Sequence, residues 1–251
     1  MNIALILLLN LAVGACIGLT GIAGFLLPMF YTGFLGMPPA ESLALSFSAF
    51  LISGILGAVT YYKAGNLAVR LAVVLSAGSL LGALAGVRIN LLIPEDVMQI
   101  ILYAVVLISG VSILLRRGGK EGADAGTAVL SAGRMAFYFL LGIVTGAVCA
   151  ASGAGGPVLV MPLLTLLGFP AHTAVGMSLF NSVFIALPAA AGYLWHASDN
   201  REMFLLLVPV LTAHGVGVTW GSRNAEKINQ NLLKRIVAVG SIGIALFKLF
   251  V

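Results

Sequence analysis

Between Gly146 and Asn181 the chain reads GAVCAASGAGGPVLVMPLLTLLGFPAHTAVGMSLFN. Inside this apolar stretch, Gly153, Gly155, Gly156 and Pro157 follow Ser152 directly, and Pro162 comes one turn later. Glycine weakens a helix interior, and proline removes a donor and crowds the preceding turn. A helix entering here is therefore predicted to break near Ser152–Pro157. The new helix start beyond the break presents bare N–H groups and the positive end of a helix dipole, roughly half an elementary charge. That is chemistry for holding an anion. Ser178 and Asn181 lie three residues apart and so share a helix face, where they can add an O–H and an N–H donor.

The same pattern occurs earlier. A shift of 132 residues places Gly14 on Gly146, Thr20 on Ser152, Gly21 on Gly153, Gly24 on Gly156, Gly36 on Gly168, Pro38 on Pro170, Ser46 on Ser178 and Tyr61 on Tyr193. A shift of 135 places Gly82 on Gly217, Gly86 on Gly221 and Arg88 on Arg223. The candidate binding set is thus Thr20, Gly21, Gly24 and Ser46 from the first copy, and Ser152, Gly153, Gly155, Gly156, Ser178 and Asn181 from the second. His214 joins it as a substrate or proton group, with a hydrogen-bonded structural histidine as the alternative, because Thr212-Ala213-His214-Gly215 places an ionisable ring deep in an apolar segment. Arg88 and Arg223 are candidates for drawing an anion to the two mouths, or for marking helix ends.

The elements that must position these residues are membrane helices. The 251 residues are 61% hydrophobic and only 8% charged, with mean hydropathy +1.12; soluble domains carry roughly 25% charged residues. Eight apolar segments run at 3–34, 41–61, 67–92, 97–115, 135–168, 172–195, 203–222 and 231–250. About 20 residues span a bilayer, so six segments fit one crossing. The first and fifth are too long, and both carry the glycine interruption. Irregular backbone survives in hydrocarbon only when it is buried in protein or lines a cavity.

Domain organisation follows: a first transmembrane repeat over 1–117, a polar loop over 118–133 and a second repeat over 134–251. If all eight segments cross once, the 13 basic residues divide eight to five. If the first and fifth are re-entrant, one side keeps only Arg88, Arg201 and Lys248 and the other holds the remaining ten. Cytoplasmic loops are enriched in Lys and Arg, so the re-entrant arrangement is preferred. It inverts one repeat relative to the other and places both termini outside the cytoplasm. Val13-Gly14-Ala15-Cys16 looks like a lipoprotein cleavage box, but no Lys or Arg precedes it and it belongs to the repeat, so it is expected in the mature chain.

The remaining signals are structural. Cys16 and Cys149 read as small packing residues rather than a disulfide or metal pair. Trp195, Tyr61, Tyr62 and Tyr193 read as an interfacial aromatic belt. The Gly78-Gly82-Gly86 ladder suits close helix packing, within the protomer or across a homodimer.

Together these residues resemble the sulfite exporter family of TauE/SafE type. The resemblance rests on Gly21-Ile-Ala-Gly24 and Gly153-Ala-Gly155-Gly156, the prolines that follow (Pro28, Pro162), Gly36-Met-Pro38 and Gly168-Phe-Pro170, and Ala44-Leu-Ser46 and Gly176-Met-Ser178. Arg88 and Arg223 close the two halves. The first copy has Ile22-Ala23 where the family is richer in glycine, so its half-site is expected to hold an anion less well. The resemblance implies an all-α, multi-pass protein of the cell inner (plasma) membrane. It would carry small sulfur-containing anions such as sulfite, organosulfonates or thiosulfate, without a cofactor. The alternative is a membrane scaffold or assembly factor. An enzyme is disfavoured: there is no GxSxG, HExxH or paired-carboxylate motif, and no basic-aromatic pattern for nucleic acid.

Overall fold

The computed structural model describes residues 3–21, 23–94, 131–197 and 201–227, with scattered positions between 96 and 111 and between 239 and 246. Most of the segments expected at 97–115 and 231–250, and nearly all of the 118–133 loop, lie outside the described residues. The described chain is all-α. Its helices are α1 Ile3–Thr20, α2 Leu26–Gly33 (after a 3₁₀ turn Ala23–Phe25), α3 Pro39–Lys63, α4 Val69–Leu92, α5 Ala132–Ser152, α6 Gly156–Leu166, α7 Ala171–His196 and α8 Arg201–Asn224. Six of these are long and apolar enough to cross a membrane. This is a multi-pass membrane protein.

Proline and glycine set the boundaries. Pro39 opens α3 and Pro170 caps α7, each at a position where a missing N–H costs nothing. Gly36 (φ 62°) and Gly168 (φ 91°) turn the chain just before them in the left-handed region that residues with a Cβ avoid. Pro162, Pro188 and Pro209 lie inside helices without ending them. The breaks are thus placed by glycine.

Packing depends on small residues. The apolar effect gives no preference for helix over lipid, so association relies on close van der Waals approach. A Cβ added at Gly78, Gly82 or Gly86 of α4 would collide with the carbonyls of Phe139, Ile143 and Ala147 of α5. Gly142 and Gly146 of α5 fit the same way against Leu75 and Ser79. The α1–α8 seam is built alike, with Gly217 and Gly221 against the Leu11 and Ala15 carbonyls and Gly14 and Gly18 against those of His214 and Val218. The Gly78-Gly82-Gly86 ladder therefore faces inward, not toward a second copy.

The pair α3 and α7 forms the centre. Over an apolar 18-residue stretch of each, 67% of the residues are buried, against 39% for α5 and α8. They cross antiparallel: Phe47 stacks on Tyr193, Gly54 faces Leu179 and Val183, and Gly176 faces Tyr61. Beside them the first segment reverses. The Tyr61 hydroxyl reaches the Gly18 carbonyl at 3.1 Å, placing the end of α1 at the C-terminal end of α3. Ser42 reaches the Pro28 carbonyl at 3.1 Å, placing α2 at the N-terminal end of α3.

Candidate functional site

The second break is made by two glycines in conformations that a Cβ resists. The helix α5 stops at Ser152. Gly153 then turns left-handed (φ 73°, ψ 6°), its N–H on the Cys149 carbonyl at 3.0 Å. Gly155 adopts φ 78°, ψ 150°, a region open essentially to glycine alone. It caps α6 and, having no side chain, makes no side-chain capping bond itself.

The first break shares only half of this. Gly21 (φ 71°) ends α1, with its N–H on the Ile17 carbonyl at 2.8 Å. The residue 132 positions before Gly155 is Ala23, which has a Cβ. In place of an abrupt restart, the chain passes through the 3₁₀ turn into α2, whose capping residue Phe25 is helical (φ −60°, ψ −18°) and again offers no side-chain cap.

The carbonyl ends are treated in the opposite way. A broken helix leaves its last carbonyls without partners. Here Tyr61 donates to the Gly18 carbonyl, Tyr193 to the Ala150 carbonyl at 2.9 Å, and Asn90 Nδ2 to the Ala151 carbonyl at 2.6 Å. Tyr61 and Tyr193 are buried (3% and 0% exposed), which overturns their expected place in an interfacial belt. Tyr62 and Trp195 are exposed, as that reading expects. A donor placed at each freed carbonyl is a signal that sequence reading missed. The 132-residue match of the two tyrosines was its only trace.

The two breaks meet. A Cβ on Gly24 would lie 3.6 Å from the Ala154 carbonyl, and Gly153 packs against Pro28 and Leu43. Phe50 of α3 touches both: its ring is 3.1 Å from a Cβ built on Gly24 and 3.1 Å from one on Gly155. Phe50 was not anticipated, since one phenylalanine among thirteen carries no signal before the fold is known. Ser182, its counterpart 132 positions on, sits against Gly156.

Polar side chains close round this junction. Thr20, Ser46, Ser152, Ser178 and Asn181 are all buried. Ser178 Oγ lies 3.5 Å from a Cβ built on Gly21, and donates to the Val175 carbonyl at 2.9 Å. Ser152 Oγ accepts from the Ala154 amide at 3.4 Å, and Thr20 donates to the Cys16 carbonyl at 2.8 Å. Ser46 Oγ and both polar atoms of the Asn181 amide make no hydrogen bond. Burying an unpaired amide costs about 1–3 kcal/mol or more. Natural cores rarely keep such a group without a use for it.

Other candidates lie elsewhere. His214 is fully buried, but its ring contacts Ser53 of α3 at 2.7 Å rather than a break glycine. Arg88 and Arg223 are exposed, in the turns of α4 and α8 that follow the seam glycines Gly86 and Gly221.

Comparison with known proteins agrees with this architecture. The model of the family described as "Sulfite exporter TauE/SafE" matches residues 6–247. The chain is similar to the "Probable membrane transporter protein YdhB" of Bacillus subtilis (strain 168), 25% identical over 242 residues, covering 95% of this chain and 94% of the relative. No solved structure matches. On the extent of the family match, the chain belongs to the TauE/SafE family of membrane transporters.

Proposed function

We propose that this protein is a secondary transporter of small sulfur-containing anions such as sulfite, organosulfonates or thiosulfate, bound where the two broken segments meet. The observation that carries the reading is the unequal treatment of the helix ends. Side-chain donors occupy the freed carbonyls of α1 and α5, while the capping residues Phe25 and Gly155 make no side-chain capping bond of their own. A cation site would need those carbonyls. An anion site needs the amides. The unpaired Asn181 amide and Ser46 hydroxyl add donors of the right kind.

Alternating access between two inverted repeats has support from the packing. Tyr61 on Gly18 corresponds to Tyr193 on Ala150 under the 132-residue shift. Gly82 on Ile143 and Gly86 on Ala147 correspond likewise to Gly217 on Leu11 and Gly221 on Ala15. Antiparallel α3 and α7 give the inversion. In this conformation Phe50, Leu43 and Pro28 cover the break glycines, which suits a closed step of such a cycle. The basic-residue count favours the inner membrane orientation with termini outside the cytoplasm.

The test is uptake of labelled thiosulfate and sulfite by purified protein in liposomes, paired with thermal shift against thiosulfate, sulfite, sulfate, taurine, sulfoacetate and acetate. Selective stabilisation by a sulfur oxyanion, and flux that stops in Gly155→Leu, are expected. Undiminished flux in that variant removes the proposed site.

A further inference from the structure

One fully buried ionisable group, His214, contacts Ser53 rather than a break glycine. We infer that His214, with Ser53, Asn10 and Tyr31, forms a proton-binding site that couples anion movement to protons. The inference rests on the transport reading above and names its coupling ion.

The geometry can hold the imidazole in either protonation state. His214 Nε2 is 2.7 Å from Ser53 Oγ, and Ser53 Oγ is also 2.9 Å from the Ala49 carbonyl. A hydroxyl has one proton. It can donate to Nε2 of a neutral ring. When the ring is protonated, it can instead rotate to the Ala49 carbonyl and accept from Nε2–H. The second nitrogen, Nδ1, makes no hydrogen bond of normal geometry, but the Asn10 main chain lies beside the ring. An added Nδ1 proton therefore has an acceptor at hand. Asn10 itself is buried and tied, its Nδ2 donating to the Ile6 carbonyl at 2.8 Å and to the Tyr31 hydroxyl oxygen at 2.6 Å. That leaves Asn10 Oδ1 as a further unused acceptor.

The position suits coupling. Ser53 is one helical turn beyond Phe50, the residue that touches both breaks. An anion at the breaks lowers the energy of a nearby buried imidazolium, and by reciprocity the imidazolium favours the anion. Among the described residues no other charged group is placed beside His214. On the elements packed around His214, the remaining titratable groups are Cys16 on α1, Tyr31 on α2, and Glu41, Tyr61, Tyr62 and Lys63 toward the ends of α3. The ionic residues of α8 itself, Arg201, Glu202 and Arg223, stand at its ends in sequence.

The cluster is also one-sided. The matching positions in the other half are Gly142, Leu163, Ile185 and Ser79, and none titrates near neutral pH. Ser79 there donates to the Gly142 carbonyl at 3.1 Å. Repeat architecture alone therefore does not account for a buried histidine here.

The experiment measures thiosulfate, sulfate and methanesulfonate uptake into proteoliposomes, with and without a proton gradient and with the membrane potential clamped. These probes are anions of strong acids, so the gradient does not change their own charge. One pH unit is worth about tenfold in accumulation for each coupled proton. Wild type is expected to approach that ratio, and His214→Gln to fall to about one. Should His214→Gln fail to fold, Ser53→Ala, which loses one hydroxyl, is expected to move the pH at which stimulation is half-maximal. Gradient stimulation that persists in His214→Gln, an unmoved midpoint in Ser53→Ala, or wild-type flux indifferent to the gradient overturns the coupling and leaves the anion reading standing. No flux of any probe overturns both.

Discussion

The two breaks share one backbone plan and differ in side chains. Both end a helix on a left-handed glycine, Gly21 and Gly153, and both have a buried tyrosine on the carbonyl three residues earlier. They part at the restart. Gly155 makes a sharp cap for α6, an 11-residue helix, whereas Ala23 leads through a 3₁₀ turn into the eight-residue α2. The polar groups divide too. Ser182 packs against Gly156 of the second break, its counterpart Phe50 touches both breaks, and the position matching Asn181 in the first half is Ala49. On the proposed reading the lesson is a division of labour: the two breaks keep a common backbone plan, and their side chains differ. We read the second break as the principal anion holder and the first as the side where protons act.

That division can be broken first at the glycines. Leu at 155 must adopt a left-handed φ against the Phe50 ring, a strain of about 1–3 kcal/mol, worth up to about a hundredfold in binding. Gly155→Leu is expected to abolish thiosulfate uptake, whereas Ala23→Gly should leave it intact or raise it. Equal losses in the two variants would erase the distinction between the breaks.

Asn181 gives the next largest effect. Asn181→Ala should weaken uptake about tenfold, the value of one hydrogen bond to a charged group. It should also raise the melting temperature in detergent, because an unpaired buried amide is gone. Lower activity with higher stability would mark a functional group. Loss of both would mark a structural one.

The tyrosines sharpen what is common to the halves. Tyr61→Phe and Tyr193→Phe each orphan a buried carbonyl, costing about 1–3 kcal/mol by thermal or denaturant unfolding. Similar losses are expected in the two variants, since the frame is shared. The smallest effect is at the exposed arginines: Arg88→Gln and Arg223→Gln should change flux by less than about twofold, and the change should vanish at high salt.

Much of this was legible beforehand. Segments too long for one crossing, with glycines in their middle, announced the breaks. Ala23 stands where the second copy has Gly155, and a 3₁₀ turn runs from it to Phe25. Other features had no local cue. Tyr61 and Tyr193 near helix ends look like belt residues, because burial depends on neighbours far along the chain. His214 looked like part of the anion set, because depth along a segment says nothing about which face a ring turns to.

The sequence by itself determined the membrane as solvent, the number and length of the described spans, and the places where helix could not continue. These follow from hydropathy and from the backbone freedom of single residues, which are local properties. Only the tertiary structure decided that the two interruptions touch, that Phe50 lies against both, and that buried tyrosines sit on the freed carbonyl ends. Those outcomes depend on which helix faces pack together, and packing between residues more than a hundred positions apart is not written in either stretch alone.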